Sequence, residues 1–79
     1  MDIIYTEYAE DTIEDRKIDK KEIESALLNP DEIVESKKNR KIAHKIVRNK
    51  LLRVVFEIEE NTYMVITAYY TQPRRYMKI

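Results

Sequence analysis

From Lys41 to Tyr70 the chain has room for little but strands. KIAHKIVR alternates Ile42, His44 and Ile46 against Lys41, Ala43 and Lys45, and LLRVVFEIE and YMVITAYY are rich in β-branched and aromatic residues. Only RNK and EENT separate the three runs. Links this short return a strand beside its predecessor, so an antiparallel meander is expected. EIVESK is a further short candidate ahead of it. The chain contains no glycine at all, which leaves the turn types, and with them the registers, open.

The first half carries helical signals instead. Thr6 is placed to cap TEYAEDTIEDRKI, whose first turn holds acids where the helix dipole favours them. Ala9, Ile13 and Arg16 fall near one face, with Ile13 the apolar anchor. Asp19 caps KKEIESALL, and Glu22 three residues later completes a capping-box pattern over the stripe Ile23, Ala26, Leu27. Pro30 then disfavours helix at Asn29. The expected fold is α+β: two N-terminal helices packed on one face of a three- to four-stranded antiparallel sheet, with residues 1–79 as a single domain.

Which side chains share a face depends on the links. Read as a three-residue link, RNK aligns Ile42, His44 and Ile46 with Leu52, Val54, Phe56 and Ile58, and leaves Lys45 and Arg53 on the opposite face. An odd-length link between the last two strands adds Thr67 and Tyr69 to that second face. This register is preferred because it keeps both cations out of the core, and it makes His44 a packed strand residue. A slip of one residue would bring His44 beside Arg53, where it would be the best general base in the chain.

Composition excludes several classes of function. There is no cysteine, so disulfides and thiolate metal sites are ruled out, and a single histidine leaves no zinc cluster. The acidic run EDTIEDR lacks further ligands and reads as a solvated face or a contact for a basic partner, so neither a metal nor a cofactor is expected. No apolar run approaches a bilayer span, and MDIIYTEYAED lacks the basic start and cleavage site of a signal peptide, so no membrane partner and a cytoplasmic location are expected. Eleven isoleucines and ten glutamates lean towards a thermophile. The net charge of zero conceals an asymmetry: residues 1–36 carry twelve acids and four bases (net −8), and residues 37–79 carry eleven bases and three acids (net +8). Either the basic half recruits a polyanion, or the halves neutralise each other across an internal or dimer contact.

The order of these elements resembles a family of small prokaryotic proteins, domain-of-unknown-function family 4258. Arg16 closes the first helix and Ile18 to Ile23 opens the second. Pro30-Asp31, KIVRNKLLRVVFE and VITAYYTQPRRY follow in the family's order, so that the resemblance spans residues 5–76. It implies a fold similar to the RelE/ParE toxins and small microbial ribonucleases. It further implies a toxin-like protein that engages RNA, free or on the ribosome, beside a small antitoxin-like partner. Family members often begin the first helix with a His-Ala pair and an arginine three residues on, where this chain has Tyr8-Ala9 and Thr12.

RNA cleavage by 2′-hydroxyl attack needs a base, an acid and cations against the developing charge, but no metal. Lys45, Arg53, Arg75 and Tyr76 are the candidate catalytic set. Arg53 and Arg75 would hold phosphate, Lys45 would carry the proton, and Tyr76 would act as acid or stacking surface. Lys41, Arg48, Tyr69 and Arg74 are the candidate RNA contacts. Each also has an ordinary reading as a solvated strand cation, a basic end or a sheet-edge aromatic. A non-catalytic protein–protein module, a gyrase-directed relative or an inactive one stands as the alternative, with a homodimer as a further candidate partner.

Overall fold

Two side-chain oxygens start the helices at the expected residues. In the computed structural model, which describes residues 2–76, Thr6 caps helix α1 (Glu7–Arg16) by accepting from the Ala9 N–H. Asp19 caps α2 (Lys20–Leu28) by accepting from the Lys21 N–H at 2.8 Å. The reciprocal half of the capping box is absent, because the Glu22 carboxylate turns away to the Tyr70 hydroxyl. Lys17 ends α1 in the left-handed region at φ 54°, the conformation usually given to glycine.

The sheet has one strand more than expected. Strands β2 (Glu32–Glu35), β3 (Arg40–Val47), β4 (Lys50–Glu59) and β5 (Thr62–Thr71) form the antiparallel meander, and β1 (Asp2–Tyr5) adds itself parallel to β5. The order is β1-β5-β4-β3-β2, a mixed five-stranded sheet. Four residues that pair on one side only, with a strand some sixty positions away, leave no local signal, which is why DIIY escaped the sequence reading. A 3₁₀ turn, Pro73–Arg75, follows β5.

Both helices lie on one face. Ala9, Ile13, Ile23, Ala26 and Leu27 bury against Ala43, Leu52, Val54, Phe56, Val65 and Ala68. The helix stripes match expectation, whereas the β3 side of the core does not. Arg48 and Asn49 alone join β3 to β4, so Ala43 faces Val54 and His44 faces Arg53. The preferred three-residue link was wrong, and the slipped register is the one adopted. Arg48 takes φ 52° without being glycine, and this closes the link in two residues. Ala43, the smallest residue of the strand, is fully buried in the core beneath the helices, with Val47 packed against its edge.

A second two-residue turn, Glu60-Asn61, joins β4 to β5 with both φ values positive, 48° and 63°, as a type I′ hairpin requires. By itself this turn would set Ala68 opposite Arg53. A bulge at Val55/Phe56 shifts the register by one residue, so that Tyr69 faces Arg53 instead. Thr67 and Tyr69 therefore reach the Arg53 face as expected, but through a bulge rather than an odd link. No helix among the described residues is long and apolar enough to cross a membrane.

Glu60 occupies a left-handed position that asparagine tolerates far better. Glu60→Asn is expected to stabilise the protein by about 0.5–1 kcal/mol, seen as a higher urea midpoint at unchanged slope.

Candidate functional site

The helix-free face of the sheet is built around Arg53, which is 8% exposed at the middle of the central strand β4. Its neighbours across the two ladders are His44 on β3 and Tyr69 on β5. Arg53 Nε donates to His44 Nε2 at 3.0 Å, and an Arg53 terminal nitrogen donates to the Tyr69 hydroxyl at 2.6 Å. A guanidinium has hydrogens to give and no lone pair to offer. His44 Nε2 must therefore accept, so the ring hydrogen sits on Nδ1 and is donated to Glu32 Oε1 at 2.9 Å. Glu32 lies opposite His44 in the β2–β3 ladder, so the relay Glu32–His44–Arg53–Tyr69 runs straight across four adjacent strands.

Tyr76 follows the 3₁₀ turn and lays its ring 3.7 Å from the Arg53 guanidinium carbon, an intimate cation–π stack. The same ring stands 6.2 Å from the His44 ring. Arg16, at the end of α1, approaches the Tyr69 ring at 5.7 Å, and Arg53 lies 5.5 Å from that ring. The Tyr69 oxygen accepts from a cation, and its own hydrogen is left to donate outwards.

The candidate catalytic set is only half assembled. Arg53 and Tyr76 meet, whereas Lys45 does not join them: it pairs with Leu52 on the helix side and donates to the Asn29 carbonyl at 2.8 Å. Its separation from Arg53 follows from the two-residue β3–β4 turn. Arg75 lines a pocket with Lys50, Tyr70 and Gln72 rather than the Arg53 face. Among the candidate RNA contacts, Tyr69 is in the centre. Lys41 is tied to Glu35 at 2.7 Å on the helix side, Arg48 sits in the β3–β4 turn, and Arg74 is exposed on the 3₁₀ turn. Tyr8 is 65% exposed, and Thr12 is buried among core residues.

His44 and Glu32 were missed as site residues. The preferred register placed His44 in the core, and Glu32 had no visible role until its strand found β3. The signal was present only as the slipped register, in which His44 meets Arg53.

Tyr70 points to the other side of the sheet. The Tyr70 hydroxyl donates to Glu22, and its pKa is raised from 10.0 to about 12, first by burial and then by that hydrogen bond. A family model, Domain of unknown function (DUF4258), matches residues 5–70, which takes in Glu32, His44, Arg53 and Tyr69 and stops short of Tyr76. No curated protein and no solved structure matches the chain.

Folding favours the protonated Tyr70. The folded protein keeps the phenol hydrogen up to about pH 12, whereas the unfolded chain releases it near 10.0. This contribution is whole below pH 10 and disappears as pH climbs from about 10 through 12. Absorbance titration should show one tyrosinate fewer near pH 11 than in the Tyr70→Phe variant plus a normal tyrosine. Tyr70→Phe should also flatten the decline of stability over that window.

Proposed function

Because the chain belongs to the DUF4258 family, whose description names no activity, its function has to be argued from the site, and we propose that the open sheet face binds RNA, with Arg53 holding a phosphate beside the rings of Tyr69 and Tyr76. The observation that carries this is the state of Arg53. It is nearly buried, yet among the described residues no carboxylate lies within 4.0 Å of it. His44 Nε2, a phenol oxygen and an aromatic ring hold it, and none of these brings a negative charge. A buried cation without a counter-charge is costly, and an incoming phosphate relieves that cost. The Tyr69 hydroxyl is free to donate to the same phosphate, and Tyr76, 43% exposed, offers a ring to a base.

Binding is favoured over cleavage. Attack by a 2′-hydroxyl needs a proton acceptor near the phosphate, but His44 Nε2 is occupied by Arg53 and Lys45 opens onto the opposite face. The α+β layout suits a RelE/ParE-like protein that has kept the RNA grip, and an antitoxin-like partner would act by covering this face. The rival reading is a protein-docking module. It draws on Ile4 and Ile46, which are 45% and 41% exposed on the same side of the sheet. Salt separates the two, since phosphate contacts release counterions and apolar contacts do not.

Fluorescence anisotropy with a short labelled single-stranded RNA tests the proposal. Tyr76→Ala, at an exposed position, should weaken binding about tenfold, in line with the loss of one stacked base. Arg53→Lys, with circular dichroism to confirm the fold, should weaken it further, and raising salt from about 50 to 200 mM should do so for the wild type. Affinity indifferent to both Tyr76→Ala and salt would sink the RNA reading. The same mixtures run on a gel should show intact RNA, and cleavage would overturn the binding-only reading.

A further inference from the structure

Four cations gather where the β3–β4 turn, the end of β5 and the start of α2 come together. Lys17, Arg48 and Lys50 line a pocket of about 300 Å³ with Asp19, Glu22 and Tyr70. A second pocket, about 320 Å³, shares the Lys50 and Tyr70 wall and adds Gln72 and Arg75. Among the described residues, Lys20, Arg40, Lys41 and Lys45 each find a carboxylate within 4.0 Å, whereas these four cations do not.

The two acids of the cleft already have partners. Asp19 accepts from the Lys21 N–H, and Glu22 accepts from the Tyr70 hydroxyl. Neither carboxylate lies within 4.0 Å of a lysine or arginine nitrogen among the described residues. Four positive charges against two negative ones leave a surplus of two, which matches the charge of a phosphate monoester near neutral pH. The Tyr70 ring forms a wall common to both pockets, with Lys50 Nζ 6.0 Å from its centroid. Its phenol keeps its hydrogen well past neutrality and so does not repel an anion. Gln72 adds an uncharged amide beside Arg75.

We propose that this cleft is a second, separate anion site that takes a phosphate ester, with Arg48, Lys50 and Arg75 on the phosphate and the Tyr70 ring against the organic part. It uses none of Arg53, Tyr69 or Tyr76 and stands or falls without them. The phosphate has two sources, a free nucleotide or the backbone of a nucleic-acid strand. Both present anionic phosphoryl oxygens to these cations, three on a terminal monoester and two on a backbone diester.

Amide NMR titration of the full chain with adenosine 5′-monophosphate, adenosine and an eight-nucleotide RNA tests this and identifies the source. Saturable shifts at Arg48, Lys50, Thr71 and Gln72 with the monophosphate and not with adenosine support a free phosphate ester. Shifts at those amides with the RNA alone support a strand phosphate. Arg48 and Lys50 are both exposed, so Arg48→Glu with Lys50→Glu should leave the remaining spectrum unchanged while weakening cleft binding about tenfold or more. In that variant the RNA-induced shifts around Tyr76 should persist, which keeps the test of this cleft apart from that of the Arg53 face. No shift in the cleft with either phosphate probe, or equal shifts with adenosine, would overturn the proposal.

Discussion

The open face of this sheet depends on a single buried guanidinium finding two uncharged hydrogen-bond acceptors. Arg53 lies at the middle of the central strand and is only 8% exposed. It is tolerable there only because His44 and Tyr69 stand opposite it on the flanking strands. Each alignment has its own cause. The two-residue turn at Arg48-Asn49 delivers His44, and the bulge at Val55/Phe56 delivers Tyr69. Remove either and the facing residue becomes Ala68 or a neighbour of His44, none of which could serve a guanidinium. Bulges that re-aim one side chain are common beside functional sites, and this one sits two residues from Arg53.

The parts of the fold that obey local rules were legible. Thr6 and Asp19 announce the helices, and Ile13, Ile23, Ala26 and Leu27 announce the buried stripes, because caps and 3.6-residue periodicity act within a turn or two. The meander was legible too. Its registers were not, and glycine explains why. Asn-Gly or Gly-Asn would have marked the hairpins, but here Arg48, Glu60 and Asn61 take positive φ themselves. At Arg48 and Glu60, residues that rarely adopt that conformation do so because the ladders on either side over-determine it. A parity error of one residue at RNK then moved His44 from the site to the core and put Lys45 into the site. Glu22 shows the same limit from another side: its capping-box position was readable, but its competing partner Tyr70, forty-eight residues on, was not.

The charge asymmetry of the sequence resolves into two regions. Where β2 meets β3, the acidic half neutralises the basic half: Glu35 takes Lys41, and Asp31 approaches Lys45. Arg40 finds Glu57 in the neighbouring strand. That edge of the sheet conforms to the internal-contact reading of the two halves. Farther along the basic half, Arg48, Lys50, Arg53, Arg74 and Arg75 have no ion-pair partner among the described residues.

Exposed surface pairs are worth little to stability, so the pairing along β2 does not explain the fold. Its effect is on distribution. It occupies Lys41 and Lys45 beside β2, while Lys37 and Lys38 in the β2–β3 turn, and the cations at the end of the sheet where the 3₁₀ turn follows β5, have no carboxylate within 4.0 Å among the described residues. Arg75 and Tyr76 are adjacent there, yet one lines the Tyr70 cleft and the other covers Arg53. A three-residue turn thus divides the basic, aromatic end of the sequence between the two faces of the sheet. This is why a run that looks like a single patch in the sequence becomes two separately testable sites in the fold.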